Sequence, residues 1–340
     1  MRLTTLACML TALVAASPTY AQTDADAIRK RVEALKPADF PKQAIELVVP
    51  TAPGGGLDIA ARLLAKATEK YMTHPIYVNN RVGAGGLVAY TWLATQAPND
   101  GSVIGLISNS ILGDSLLRAG GKWVYKDIEP IAFLNQEPAA WIVSTDGPFK
   151  DKSFTDIVAL AKAEPQKINI GSMAQTVYEF LAEQIESATS AKFTKVPFQG
   201  SAPALVALLG GHIDVSFGYL ADYRSYLEAG KIKPIVVSGA ARSPYLPNVP
   251  TVNELLGTTT IVRNVFRFIG APKGMAPSHR AYLAAGLAAA VADPDFVKET
   301  ERVGAIMDPS LNSPEKISAE LDKLAQLERT FLIQSGRLKE

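Results

Sequence analysis

The sequence has almost no cysteine and very little histidine. Cys8 is the single cysteine among 340 residues, and it lies in an N-terminal segment that we expect to be removed. The remaining chain then has no disulfide, no thiol nucleophile and no thiolate ligand for a metal. The three histidines are His74, His212 and His279, and no two of them have metal-binding helical spacing. These absences exclude thiol chemistry and argue against a histidine-based catalytic or zinc site.

The sequence also has no excess of positive or negative charge and no long apolar run. Arg2 is the only charged residue of positions 1–21, so the remaining 33 basic residues equal the 33 acidic ones. A balanced chain gives no electrostatic reason to bind nucleic acid or a membrane surface. No later segment has the length and apolarity of a membrane-spanning helix. We therefore expect no nucleic-acid partner and no anchor in a membrane.

The N-terminus has the pattern of a secretory signal. Arg2 precedes an uncharged run from Leu3 to Ala16 of about 14 residues, whereas a spanning helix needs roughly 20. Small residues before Gln22 fit a signal-peptidase site. We predict a signal peptide at 1–21, cleavage before Gln22 and a periplasmic mature protein.

Short apolar strands alternate with helices along the rest of the chain. Strands are predicted at 45–50, 76–78, 103–107, 168–170, 193–198, 213–217, 234–238 and 265–271. Helices are predicted at 59–71, 87–96, 153–163, 177–187, 203–209 and 222–229, and they dominate from about 277 to 336. This alternation predicts parallel sheets flanked by helices. A mature length of about 319 residues favours two domains with a cleft between them.

Two glycine-rich loops each follow a predicted strand and open a predicted helix. They are Pro53-Gly54-Gly55-Gly56-Leu57-Asp58 and Arg81-Val82-Gly83-Ala84-Gly85-Gly86. Glycine permits a close approach of the backbone and a positive φ, and a helix start adds unpaired amide donors with a partial positive charge. The loops therefore predict an anion site made of backbone amides, beyond the carboxyl ends of the strands. The alternative is that both loops are only tight turns.

Neither loop has the spacing of a nucleotide-binding motif. The dinucleotide fingerprint requires a third small residue where this chain has Ile59 and Val88, and no P-loop Gly-Lys-Ser or Gly-Lys-Thr occurs in either loop. The nucleophile elbow Gly-x-Ser-x-Gly is absent as well. We expect no cofactor, no metal and no catalytic residue, and Asp58 fits a capping role in the first turn of a helix. A pair of carboxylates brought together by the fold stays open as an alternative.

The order of these motifs resembles one protein family. The loops are similar to its Pro-Gly-Gly-Gly-Thr-Asp and Asn-Arg-Pro-Gly-Ala-Gly-Gly segments, and further matches follow at 98–101, 198–205, 210–215, 242–251 and 270–274. On these motifs the chain resembles the extracytoplasmic binding proteins of the tripartite tricarboxylate transporters, the Bug family. The resemblance covers roughly residues 43 to 310.

The resemblance implies an α/β fold of the type II periplasmic binding proteins, in which two lobes close like a Venus flytrap. Each lobe would be a mainly parallel sheet flanked by helices. We place an N-terminal extension at 22–42, lobe 1 at 43–142 plus 263–340, and lobe 2 at 143–262. The implied function is a non-catalytic solute-binding protein that delivers a small carboxylate to a two-part membrane transporter, and we expect a monomer. A carboxylate sensor subunit and a carboxylate-acting enzyme on this fold remain alternatives.

The resemblance also implies a set of ligand-binding residues on both lobes. On lobe 1 these are Pro53, Gly54, Gly55, Gly56, Leu57, Asp58, Gly83, Ala84 and Gly85, and on lobe 2 they are Ser172, Met173, Ala174, Gln175, Gln199, Gly200 and Ser201. Leu57 stands where the family has threonine, and Gln199 stands where it has a cation. Arg267 is our candidate for a second charge contact, with an ion pair as the alternative. Asn109 is a further candidate, with a plain turn role as the alternative.

Overall fold

The computed structural model describes residues 19–54, 56–173, 176–198 and 200–339. The strands of this part are β1 (Ile45–Val49), β2 (Ile76–Asn80), β3 (Val103–Ser108), β4 (Ile128–Pro138), β5 (Ala140–Ser144), β6 (Asn169–Ser172), β7 (Thr194–Pro197), β8 (Ser216–Gly218), β9 (Ile232–Val237) and β10 (Asn264–Pro272). The helices are α1 (Thr19–Ala34), α2 (Gly56–Thr68), α3 (Leu87–Thr95), α4 (Ser110–Leu117), α5 (Phe154–Ala163), α6 (Val177–Thr189), α7 (Ser201–Leu209), α8 (Leu220–Glu228), α9 (Val252–Leu256), α10 (Pro277–Val291), α11 (Pro294–Arg302) and α12 (Pro314–Gln334).

The first sheet has the strand order β2-β1-β3-β10-β4. Strands β2, β1 and β3 pair in parallel, whereas β10 runs antiparallel to both β3 and β4. A strand from the last third of the chain therefore lies between two strands from the first half.

The second sheet has the order β8-β5-β9, and β6 and β7 form a parallel pair beside it. A parallel bridge between Ile170 and Val215 joins that pair to the β8 edge. Strand β5 runs antiparallel to both of its neighbours. Most strands of each region thus run in one direction, as predicted, and one strand in each region is reversed, which the sequence does not predict.

Helices cover both faces of the first sheet. Residues such as Leu47 and Val49 of β1 pack against α2 and α10, while Val48 faces the side covered by α3, α4 and α12. The second sheet has a separate core that includes Trp141 and Phe217. Strands buried on both faces need continuous apolar runs, and the Ile-Glu-Leu-Val-Val run of β1 has this character.

The chain crosses between the two sheet regions twice, and hydrogen bonds connect the two crossing segments. Ala139 alone separates β4 from β5, and its amide donates to the Ser238 hydroxyl at 2.9 Å. That hydroxyl donates in turn to the carbonyl of Arg263 at 2.7 Å. The Ser238 amide also donates to the carbonyl of Ala139 at 2.8 Å. One buried serine therefore ties both crossings together.

The structure confirms the predicted mixed α/β architecture with two sheet regions, and it corrects several details. The strand expected at 213–217 begins only at Ser216, because the preceding residues join the sheet through a single bridge. Strands β4 and β5 and helix α4 were not predicted from the sequence. The signal peptide lies almost wholly outside the described residues, and α1 runs through the predicted cleavage point before Gln22. The lobe boundaries stay a prediction.

Candidate functional site

A cavity of about 690 Å³ lies between the two sheet regions. Five helices of the described chain begin at its wall: α2 and α4 from the first region, and α6, α7 and α8 from the second. The lining residues at these helix starts are Gly56, Leu57, Asn109, Ser110, Thr176, Val177, Gly200, Ser201, Tyr219 and Asp222. The first amides of a helix lack intrahelical acceptors and carry partial positive charge. The wall is therefore suited to an anion without requiring a free cationic side chain.

The first glycine loop is ordered by Asp58, which is 2 % exposed. Its carboxylate accepts hydrogen bonds from the Gly54 amide at 2.8 Å, the Asn80 side chain at 2.9 Å and the Arg62 guanidinium at 3.0 Å. The hydrogen bonds from Arg62, only partly opposed by burial, lower the pKa of Asp58 to about 2, with help from Gly54 and Asn80. The Gly54 amide is thus engaged by the protein itself, whereas Gly56 and Leu57 line the cavity.

The depressed pKa of Asp58 predicts a pH-dependent contribution to stability. A carboxylate with a folded pKa of about 2 and an ordinary unfolded value contributes about 2 kcal/mol above pH ~4, and this contribution is lost as the pH falls towards ~2. We expect Asp58→Asn to be less stable than the parent near neutral pH, with the difference shrinking in acid. Urea unfolding at several pH values measures it. A difference that stays constant down to about pH 2 would contradict the assignment.

The second loop has an unusual backbone. Gly83, Ala84, Gly85 and Gly86 have φ values of 154°, 47°, 66° and 107°, so four consecutive residues have positive φ. The Ala84 carbonyl accepts a hydrogen bond from Arg118 at 2.9 Å. The Gly86 amide donates back to Gly83 at 3.0 Å, while Gly85 lines the cavity. Glycine tolerates these angles at little cost, which explains three of the four residues.

Every arginine that lines the cavity is paired with a buried carboxylate. Arg118 Nε donates to Asp114 at 2.8 Å. Arg263 is bonded to Glu328, and Arg267 to Glu137. Burial alone would lower the pKa of Arg267, but the Glu137 carboxylate raises it above its usual value. These arginines are charged, yet their charges are neutralised locally.

Tyrosines and acids meet on the second-region side of the cavity. The Tyr219 amide donates to Asp222 at 2.9 Å, and the Arg267 guanidinium lies 5.9 Å from the centre of the Tyr219 ring. Burial raises the pKa of both Tyr178 and Tyr219, so their hydroxyls stay neutral, and the two hydroxyls are hydrogen-bonded to each other. Apolar side chains also line the cavity, among them Leu57, Leu63, Leu117 and Val262. A ligand that combines polar groups with a hydrocarbon part fits this lining.

Comparison with known proteins agrees with this architecture. Residues 60–326 match the family model described as the tripartite tricarboxylate transporter family receptor. The chain belongs to this family. Over 246 residues it is 30 % identical to protein BugT of Bordetella pertussis. The aligned region covers 70 % of this chain and 73 % of BugT.

Solved structures of related proteins share the whole fold. The periplasmic binding protein BugD is 26 % identical to this chain and has a TM-score of 0.73. The match covers 88 % of this chain and 100 % of BugD. A protein of R. palustris with adipate is 25 % identical, with a TM-score of 0.74 over 88 % and 99 % of the two chains. These neighbours confirm the type II periplasmic binding fold, and the chain is a solute-binding protein of this family. Within the described residues, no helix is both long and apolar enough to cross a membrane.

The structure brings together about half of the residues that the sequence assigned to the ligand. Those that line the cavity are Gly56, Leu57, Gly85, Asn109, Met173, Gly200, Ser201 and Arg267. Those that do not line it are Pro53, Gly54, Asp58, Gly83, Ala84 and Ser172. Gly55, Ala174, Gln175 and Gln199 lie outside the described residues. The binding role of each remains a prediction.

Two of the lining candidates are occupied by the protein's own groups. Arg267 is 8 % exposed, and its Nη1 donates to Glu137 and to Asn135 at 2.8 Å, so its charge is neutralised locally, while its buried Nε has no hydrogen-bond partner among the described residues. The Asn109 side chain donates to the Asn264 carbonyl at 2.9 Å and accepts from the Phe266 amide at 3.1 Å. Asn109 therefore fastens the end of β3 to β10, and the ion pair that was the alternative for Arg267 is present.

Sequence reasoning missed the acidic and tyrosine side of the receptor's cavity. Glu137 lies one residue before the end of β4, which the sequence does not predict, and the sequence predicts Asp222 only as the beginning of a helix. The nearest usable signal was the Tyr219-Leu220-Ala221-Asp222 segment, because a carboxylate three residues after a helix cap often bonds back to that cap. This bond is present between Asp222 and the Tyr219 amide.

Proposed function

We propose that this receptor captures a small carboxylate in the cavity and delivers it from the periplasm to a two-part membrane transporter. The observation that carries the proposal is the convergence of five helix starts on one cavity whose arginines are all paired. A carboxylate held by several backbone amides requires no free cation. The dipole of one helix contributes only about 0.3–2 kcal/mol, so micromolar binding, roughly −8 kcal/mol, needs several of them.

The ligand carboxylate would dock at Gly56, Leu57 and Gly85 on the first sheet region. Ser201 and Tyr219 of the second region would then bond to the rest of the ligand. A ligand that contacts both regions binds the closed form more tightly and shifts the population towards it. The adipate bound to the R. palustris relative supports the carboxylate as the ligand class.

We also propose that the protein does no chemistry on its ligand. In support, Asp114 and Glu137 are each paired with an arginine, which disfavours a role as a mobile proton carrier. The described residues contain no group of three histidine, cysteine or acidic side chains placed to hold a metal. A turnover assay on any carboxylate that binds tests this, and product formation at a rate above the buffer background would overturn it.

A thermal-shift panel of mono-, di-, tri- and amino-carboxylates tests the ligand class. A ligand at about 100 times its dissociation constant stabilises the folded state by about 2.7 kcal/mol. We expect at least one carboxylate to raise the melting temperature clearly, and the matching amide or ester to have no effect. If no carboxylate stabilises the protein, or if amides stabilise it equally, the proposed function is wrong.

Delivery to a membrane transporter is tested in cells. We expect a strain that lacks this gene to lose uptake of the radiolabelled carboxylate identified in the panel, and the wild-type gene to restore it. A gene carrying a binding-defective variant serves as the control and should not restore uptake. Unimpaired uptake in the deletion strain would contradict the delivery role.

A further inference from the structure

The end of the cavity near the second sheet has a net negative charge. Glu137, Arg267 and Asp222 meet there, and Asp222 has no cationic partner among the described residues. The arginine that binds Glu137 lies 5.9 Å from the centre of the Tyr219 ring, and the Tyr219 amide donates to Asp222 at 2.9 Å, so Arg267 and Tyr219 connect the two carboxylates. Two acids therefore share this end with a single arginine.

The described cavity wall as a whole has one more acidic side chain than it has arginines. Its arginines are Arg118, Arg263 and Arg267, and its acids are Asp114, Glu137, Asp222 and Glu328. The four site candidates outside the described residues, Gly55, Ala174, Gln175 and Gln199, are all uncharged. Asp222 is therefore the one charged side chain on the described lining that forms no ion pair. A second carboxylate on the ligand would meet two acids there, beside a single arginine that is already paired with Glu137.

Glu137 provides an independent indication of a ligand group. Glu137 is 4 % exposed, lies near the end of β4 and lines the cavity. One oxygen, Oε1, accepts from Arg267, whereas the buried Oε2 has no hydrogen-bond partner among the described residues. A buried carboxylate oxygen without a donor is costly. A donor supplied by the ligand would remove that cost.

The groups around these acids favour a positively charged donor. Desolvation raises the pKa of Asp222, and hydrogen bonds from the Tyr219 amide and the Ser201 hydroxyl only partly oppose it. A cation bound nearby would favour the ionised form of that carboxylate. The rings of Tyr178 and Tyr219, with centres 5.3 Å apart, line the same cavity, and aromatic rings attract cations.

We propose that the ligand is an amino-carboxylate, whose carboxylate lies at the helix starts of the first sheet region and whose ammonium lies between Glu137 and Asp222. This inference rests on the proposed function, because it takes the carboxylate end as given. The ammonium donates to Glu137 Oε2 and balances the charge of Asp222. A dicarboxylate places a negative group at the same position, where like charges repel it.

Isothermal titration with matched ligands tests the inference on the wild-type protein. The probes are ω-aminohexanoate, adipate and hexanoate, together with the same three end groups on shorter chains. At the best chain length, we expect the amino-carboxylate to bind at least 10-fold more tightly than the dicarboxylate and the monocarboxylate. If a dicarboxylate binds as tightly or more tightly at every length, the inference fails while the proposed function stands. If no carboxylate binds, both fail.

The Glu137→Gln variant tests the position of the ammonium. We expect it to bind the amino-carboxylate at least 10-fold more weakly and the dicarboxylate more tightly, since Arg267 loses its neutralising partner. Glu186→Gln is the matched control, because Glu186 is another buried carboxylate with a cationic partner, Lys195, but does not line the cavity. Its ligand preference should equal that of the wild type. An unchanged preference in Glu137→Gln, or the same change in both variants, would overturn the proposal.

Discussion

Gly85→Leu is expected to weaken carboxylate binding by at least 100-fold, which is about 2.7 kcal/mol, while the protein remains folded. Gly85 lines the cavity with φ at +66°, and the nearest atom to an added Cβ is Arg118 Nη2 at 3.8 Å. The rest of a leucine side chain therefore enters the cavity beside Arg118. It covers the loop amides that we propose hold the carboxylate. Titration calorimetry with the tightest ligand of the panel measures the loss.

The backbone strain of this variant has a matched control elsewhere in the chain. Gly120 has φ at +59°, is exposed, and has no atom within 4 Å of an added Cβ. A leucine with left-handed backbone angles costs roughly 1–2 kcal/mol at either position. We expect Gly120→Leu to show the same loss of stability in urea and unchanged binding. Full affinity in Gly85→Leu, or an equal loss of affinity in both variants, would refute the role of the second loop.

Arg263→Met is expected to lower the free energy of unfolding by about 3 kcal/mol, because it leaves a buried carboxylate unpaired. Arg263 is bonded to Glu328 of α12, and each side chain is about one-tenth exposed. Its Nε donates to Gln184 of α6 at 2.8 Å, and its guanidinium lies 4.6 Å from the ring centre of Phe331. The residue thus joins helices packed on the two different sheets. Urea unfolding followed by circular dichroism measures the change.

A second variant separates the unpaired charge from the lost packing. In Arg263→Met with Glu328→Leu, both charges are removed, and an apolar pair of similar volume takes their place. Replacing a whole buried ion pair is often neutral or stabilising, whereas breaking one is costly. We therefore expect the double variant to recover most of the loss. A double variant as unstable as Arg263→Met would contradict the unpaired carboxylate as the cause.

The fold was predictable where local chemistry determines it. The glycine loops, the apolar strands before them and the helix after Ser153 lie close to their predicted positions, since each depends on a few neighbouring residues. The Ser153 cap, for instance, accepts from the Asp156 amide within one turn. Strands β4 and β5 were missed because Asn135-Gln136-Glu137-Pro138 interrupts the apolar pattern. These residues pair with β10, and Asn135 and Glu137 line the cavity, which no local signal reveals.

The candidate site was predictable on one side only. A glycine loop that presents backbone amides can be recognised in the sequence, because the preceding strand, the loop and the following helix are contiguous. The opposite side depends on side chains from distant segments, such as Glu137, Arg267 and Asp222. Arg267 could be recognised as important from the sequence, but its pairing with Glu137 arises from the neighbouring positions of β4 and β10. Charge in a cleft is set by such pairings rather than by composition.

The position of β10 also limits the order in which the protein can fold during synthesis. This strand comes from residues 264–272, yet it lies between β3 and β4, which the ribosome makes much earlier. Until it emerges, β3 and β4 have no common neighbour, and Phe266, Phe268 and Ile269 are missing from the core. The nascent polypeptide therefore cannot complete its first sheet before about four-fifths of translation is finished. Early compaction of this sheet, before the rest of the chain has been made, is therefore excluded by the strand order itself.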